Sequence, residues 1–73
     1  MSDVHVYVVD GRKSGEALGE QTHKVQVVVV GVEFNYHPSG YHLGCMPEDM
    51  AREVAQKVAV ELGVTPENHP LYS

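Results

Sequence analysis

Cysteine is nearly absent from this sequence, which has only Cys45 and no tryptophan. A single cysteine excludes an intrachain disulfide, whereas small secreted domains usually carry several. The start of the chain, MSDVHVYVVDGRK, also lacks the basic residues followed by a long apolar run that make a signal peptide. We therefore expect a reducing, cytoplasmic environment.

Long apolar runs are absent as well, and so is an excess of positive charge. The longest apolar run, residues 27–30, is far shorter than the roughly 20 residues that span a bilayer. The chain has five Lys and Arg against ten Asp and Glu, a formal net charge of -5, and binding to phosphates requires clustered Lys and Arg. The sequence predicts neither a membrane segment nor a nucleic-acid partner.

What is present is the composition of a small globular domain. The 73 residues are 42% hydrophobic and 21% charged, so we expect one domain over residues 1–73. Such a domain buries only about 60% of the surface that its unfolded chain exposes. A core shared with a second chain would therefore add to a marginal stability.

The first half of the chain predicts two strands. Residues 3–9 are β-branched and aromatic and stop at a strong turn pair, and the glycine-rich stretch DGRKSGEALGEQT then predicts a long, mobile connection. A second strand is expected over residues 23–36. Its apolar positions are odd up to Val29 and even after Gly31, which we interpret as a β-bulge at Val30 and Gly31 within one continuous strand. The bulge would place positions 25, 27, 29, 32, 34 and 36 on one face, which the helix covers.

The second half predicts a hairpin and a helix. The turn HPSG sets Tyr36 opposite Tyr41 and Phe34 opposite Leu43 on a third strand. Pro47 and the acidic residues after it mark a helix start, and Gly63 marks its end. After Thr65 we expect at most one helical turn. The predicted fold is α+β, with a curved three-stranded antiparallel sheet in the order β-β-β-α and one C-terminal helix on one face.

One helix covers only one face of this sheet. The other face is also partly apolar, because both sides of the first two strands carry valine or tyrosine. Exposed apolar area and open strand edges favour self-association. We expect a homo-oligomer, most simply a dimer, whose interface includes Tyr7, Val9, Val28 and Val30; the alternative is a stable monomer on which these residues are scattered.

Candidate chemistry is sparse. Cys45 lies before the helix start with His42 nearby, which is the minimum for a nucleophile, but no third group is evident and we expect a buried packing thiol and no enzyme. His37 and His42 approach each other in the predicted hairpin, yet no CxxC or HxxxH spacing accompanies them. We predict no metal and no cofactor.

The loop sequence DGRKSG presents basic residues between glycines and could hold an anion, although it lacks the order of a P-loop. A ligand site between subunits would be lined by Arg12, Lys13, His37, Tyr41 and His42.

Over about residues 31 to 62, the order of a hairpin, LGC, an acidic helix start and an alanine-rich helix resembles the strand-to-helix passage of HicB-type antitoxins. The proline-rich turn of that family and a DNA-binding segment after the helix are missing, so no functional residue is carried over.

The sequence therefore favours a non-enzymatic protein that occupies a protein partner, as an inhibitor, adaptor or regulatory accessory protein, of phage type for example. The alternative is an oligomeric binder of a small ligand or a nucleotide-like anion.

Overall fold

The computed structural model describes residues 3–73, apart from the side chain of His42. Four strands form one sheet in the order β3-β2-β1-β4. In chain order the elements are β1 (Val4–Asp10), α1 (Gly11–Ser14), β2 (His23–Val29), β3 (Val32–Asn35), a 3₁₀ turn (His42–Gly44), α2 (Glu48–Leu62) and β4 (Pro66–Asn68).

The α+β class with one sheet and a C-terminal helix is confirmed, but the three-stranded antiparallel sheet is wrong. The first three strands are antiparallel neighbours, and β4, which follows the helix, pairs parallel to β1. Thr65 precedes a proline and is therefore held in an extended conformation. The tail thus continues as a strand along the free side of β1, where a helical turn was expected.

The phase change near Gly31 marks a hairpin, and the predicted bulge within one strand is wrong. Val30 and Gly31 both have positive φ angles, of 49° and 80°, as a two-residue type I′ turn requires. Val29 faces Val32 across this turn, and Val27 faces Phe34. The turn inverts the alternation just as a bulge would, so the predicted grouping of apolar residues on one face is nevertheless correct.

The predicted third strand around Tyr41 is also wrong. After Tyr36 the chain leaves the sheet, forms the 3₁₀ turn at residues 42–44, and returns only at Met46, which bridges to His23. Gly44 has a φ of 76°, and a side chain there would collide with the carbonyl oxygen of Tyr36. Glycine permits this close approach, in which the segment folds back onto Tyr36 in place of a regular hairpin.

The helix is where the sequence predicts it. It begins after Pro47 and ends at Gly63, whose φ of 73° closes the last turn. Alanines on one face of α2 allow close approach to β1 and β2, and the core consists of Val6, Val8, Val25, Met46, Ala51, Ala55 and Ala59. Among the described residues, no helix has the length and apolarity that crossing a bilayer requires.

The chain itself covers part of the second face of the sheet, where the sequence predicts no second layer. Asp10 caps α1 by accepting a hydrogen bond from the Arg12 N–H. At the other end of the chain, the Tyr72 carbonyl accepts a bond from the Asp10 N–H. On the second face, Glu16 of the connection pairs with Lys24 of β2, and the ring of His69 in the tail contacts Tyr7. The connection and the tail therefore form a partial second layer, and Val9 is buried at 1% exposure.

Candidate functional site

Strand β3 is an edge strand whose four residues are all exposed. Helix α2 packs on β1 and β2, so the side of β3 that faces the helix layer is bare. Val32 and Phe34 are each 55% exposed, and Tyr36, which continues this face, is 42% exposed. We call these three residues the β3 surface.

The backbone of β3 has one paired and one free side. The Tyr36 N–H donates to the Val25 carbonyl at 2.9 Å, which places Val25 and Tyr36 at a hydrogen-bonded pair of the antiparallel ladder. Because such pairs alternate along the strands, the backbone groups of Val32 and Phe34 also point towards β2. Those of Glu33 and Asn35 point to the open edge, where they are free to bind another strand.

A flank of α2 extends the β3 surface. Arg52 donates to the Asn68 side chain of β4, which fixes the side of the helix that faces β4. Val54 lies about 160° around the helix axis from Arg52 and therefore faces the β2 and β3 side. Val54 and Val58 are half-buried against the core, so this flank adds apolar area beside the bare strand.

The opposite edge of the sheet is protected. Strand β4 has only three residues, one of which is Pro66, which has no N–H to donate. The other two are Glu67, which carries a charge, and Asn68, which Arg52 contacts. Short strands, prolines and charges are the devices by which proteins block an edge. Strand β3 is one residue longer than β4, contains no proline and has one charged residue, Glu33.

Two polar clusters stabilise the fold near the ends of the strands. In the first, the Arg12 side chain donates two bonds of 3.0 Å to the Asp10 carboxylate. These bonds lower the pKa of Asp10 from 3.8 to about 2. His23 is buried beside this pair, with its ring 2.7 Å from the Thr22 hydroxyl and 3.9 Å from Glu48.

In the second cluster, Lys24 is buried and lies 2.6 Å from the carboxylate of Glu16. The hydrogen bond from Lys24 lowers the pKa of Glu16. Cys45 lies near both groups and is fully buried, and burial raises the pKa of its thiol, as does the Glu16 charge. The helix start therefore does not activate this thiol.

The residues of the predicted ligand site are separately engaged. Arg12 binds Asp10, the Lys13 ammonium donates to the Ser73 carbonyl, and Tyr41 packs against the core. The side chain of His42 lies outside the described residues. In the described part of the chain, no hydrogen bond or ion pair joins the two α1 cations to His37 or Tyr41.

The four residues of the predicted oligomer interface lie in different environments. Tyr7 is half-buried, stacks on His5 and contacts the edge of His69. Val9 is buried within the chain, and Val28 is half-buried opposite Glu33. Val30 is 70% exposed at the hairpin turn. The oligomer itself stays a prediction.

The apolar pattern of the sequence places the β3 surface on the helix-covered face and does not predict its exposure. The width of a helix and the spacing of strands explain this exposure. A helix with its side chains is about 10 Å wide, and strands are spaced about 4.8 Å apart. One helix therefore covers about two strands, and the strand farthest from it stays bare.

Two other features are weaker candidates. An open cleft of about 290 Å³ between α2 and β4 is lined by Val8, Arg52, Gln56, Pro66, Glu67 and Asn68, but its cation, Arg52, is already bound by Glu48 and Asn68. The described His, Cys, Asp and Glu side chains form no group of three or more that could hold a metal ion.

No family model matches this chain, and neither the curated proteins nor the solved structures include a significant match to it.

Proposed function

We propose that this protein is a non-enzymatic binding protein that occupies a protein partner, as an inhibitor, adaptor or regulatory accessory protein, and that it assembles as a homo-oligomer. The observation that carries the proposal is the β3 surface, in which exposed Val32, Phe34 and Tyr36 adjoin an unpaired strand edge. Apolar side chains beside free backbone groups bind extended or amphipathic segments of other proteins.

The energetics favour a partner at this position. Burying an aromatic or branched side chain fully contributes about 1.5–3 kcal/mol, and aromatic residues are enriched at the centres of protein interfaces. Phe34 is the only phenylalanine of the chain and lies more than half exposed on β3, outside the hydrophobic core. A partner that covers it recovers this burial.

The chemistry of Cys45 supports a role without catalysis. A nucleophilic thiol needs access to substrate and a lowered pKa, whereas Cys45 is fully buried and its pKa is raised. The cations of α1 are also engaged within the chain, since Arg12 pairs with the Asp10 carboxylate and Lys13 donates to the Ser73 carbonyl.

The test is a crosslinking experiment with matched positions. A photoreactive amino acid replaces Phe34 in one variant and Val60 in another, because Val60 is also exposed, at 65%, but lies on α2. In the source cell, we expect a discrete heterologous adduct from position 34 and none from position 60. Equal adducts from both positions, or none but self-adducts from position 34, would contradict the proposal.

The alternative of a small-ligand binder has its own readout. A ligand that binds only the folded state raises the melting temperature by mass action. If the protein binds no small ligand, a thermal-shift screen with nucleotides, other anions and divalent metals should leave the melting temperature unchanged. A reproducible increase of several degrees would reverse the ranking of the two functions.

A further inference from the structure

We propose that β3 pairs with β3 of a second copy of this chain, antiparallel and with Phe34 on the two-fold axis. The four-stranded sheets of two copies then form one continuous eight-stranded sheet. This inference rests on the homo-oligomer of the proposed function and names the contact that forms it.

The free backbone groups set the geometry of the contact. Glu33 and Asn35 point their N–H and carbonyl groups outward, while Phe34 between them points its groups inward to β2. In an antiparallel pair across a two-fold axis, a residue on the axis faces its own copy. With Phe34 on the axis, Glu33 faces Asn35 of the other copy and exchanges both backbone hydrogen bonds with it.

Side-chain chemistry selects this register over its neighbours. An axis at Glu33 would set two carboxylates opposite each other, which is destabilising. An axis at Asn35 would pair Glu33 with His37, two residues beyond the end of the strand at Asn35, whereas the axis at Phe34 extends one residue beyond it, to Tyr36. The axis at Phe34 aligns Val32 with Tyr36 and Phe34 with Phe34 on one face, and it sets the acid opposite an amide on the other.

The edges of the sheet favour a closed dimer over a filament. A head-to-tail assembly requires the β3 edge of one copy to pair with the β4 edge of the next. The proline of β4 and its three-residue length make that edge a poor partner. Only the β3 edge is left for pairing, and two equal edges close into a dimer.

The dimer leaves the side chains of the β3 surface open. Pairing uses the backbone of the edge, while each α2 still packs on β1 and β2 of its own chain and leaves β3 bare. Two bare strands therefore lie side by side between two helices. This apolar trough, with Phe34 of both copies at its centre, is the surface that the proposed partner occupies.

A cysteine scan tests the contact directly. Each of Glu33→Cys, Phe34→Cys and Asn35→Cys is made in the natural chain, whose own Cys45 is buried and serves as the background. Residues at a non-hydrogen-bonded antiparallel pair are about 4.5 Å apart at Cα, close enough for a disulfide. Under mild oxidation we expect a covalent dimer from Phe34→Cys, and little from the other two variants or the parent.

Two variants of opposite charge at position 35 test the register of the contact independently. Asn35→Lys sets a cation opposite Glu33 of the other copy, and Asn35→Glu sets an anion there, twice in each dimer. Cross-strand charge pairs contribute about 0.2–1 kcal/mol each, so the dissociation constant should fall about 2- to 30-fold for Lys and rise by a similar factor for Glu. An axis at Asn35 would instead weaken the dimer in both variants.

Sedimentation velocity tests the homo-oligomer separately from the contact at Phe34. If the natural chain sediments as a monomer of 8.0 kDa throughout the micromolar range, both the homo-oligomer and this contact are wrong, while partner binding can still be found by crosslinking. If it sediments as a dimer that crosslinks best from position 33 or 35, or from none of the three, the homo-oligomer stands and the Phe34 axis is wrong.

Discussion

The ammonium group of Lys24 lies 2.6 Å from the Glu16 carboxylate, and the lysine side chain is only 8% exposed. The pair lies on the face of the sheet opposite α2 and attaches the connection after α1 to β2. Removing one partner of a buried pair leaves a charge without compensation, which costs about 3–5 kcal/mol when both groups are fully buried.

We therefore expect Glu16→Gln to lower the free energy of unfolding by about 2 kcal/mol, less than the full cost because the Glu16 carboxylate is partly exposed. The double variant Glu16→Gln with Lys24→Met removes both charges and should recover most of this loss. Urea unfolding followed by circular dichroism measures both. Equal destabilisation in the two variants would show that the ion pair is not what the single change disrupts.

The lowered pKa of Asp10 predicts that the folded state loses stability at acidic pH. Arg12 holds the pKa of Asp10 at about 2, below its ordinary value of 3.8. The folded state therefore takes up this proton less readily than the unfolded state. The stability that results is complete above about pH 4 and is lost as the pH falls towards about 2.

Arg12→Ala should move the acid-unfolding midpoint to higher pH and flatten the fall in stability between pH 4 and pH 2. Lys57→Ala is the matched control, since it removes a cation from an exposed helix pair with Glu53. Melting temperatures measured at intervals of pH compare the two variants with the natural chain. A control that shifts as much as Arg12→Ala would assign the effect to net charge.

Burial of Cys45 predicts an unreactive thiol. The side chain is fully buried and its pKa is raised, so the fraction of thiolate at neutral pH is smaller than in a free thiol. We expect Ellman's reagent to react with the native protein far more slowly than with glutathione, and at the rate of a model thiol once urea unfolds the chain. Rapid reaction of the native protein would restore the nucleophile hypothesis.

Local signals made the helix predictable. Pro47, the acidic residues after it and Gly63 define both ends of α2 within a few positions, and the structure places the helix at Glu48–Leu62. Strand β4 has no such signal, because it has three residues and its pairing with β1 depends on where the helix returns the chain. Contacts between distant segments decide its conformation.

The hairpin at Val30 and Gly31 could not be predicted from the apolar pattern. A bulge and a two-residue turn both move the apolar alternation by one position, so the pattern predicts the shared face but not the connection. Type I′ turns favour Asn-Gly or Asp-Gly, and this chain has Val-Gly. The exposure of Phe34 depends on this connection, because the turn places Phe34 on an edge strand, one strand farther from the helix than β2.

The conformation of Val30 leads to the last prediction. A β-branched residue at a φ of 49° is strained, and the left-handed region costs about 1–2 kcal/mol for residues other than glycine. Asparagine tolerates this region and suits the first central position of a type I′ turn. Val30 is 70% exposed, so replacing it loses little burial.

Val30→Asn should raise the free energy of unfolding by about 1 kcal/mol, equivalent to roughly 4–8 °C in melting temperature for a domain of this size. Val30→Thr, which keeps the β-branch, should change the free energy of unfolding little.

The Val30→Asn variant also separates two routes to a dimer. Pairing of β3 edges keeps the hairpin closed, so Val30→Asn should leave the dissociation constant unchanged. Exchange of β3 between copies requires the hairpin to open at Val30, and strain in a short turn favours that exchange. A dimer that dissociates when Val30→Asn relieves the strain would therefore be a strand-exchanged dimer and would exclude the edge contact at Phe34.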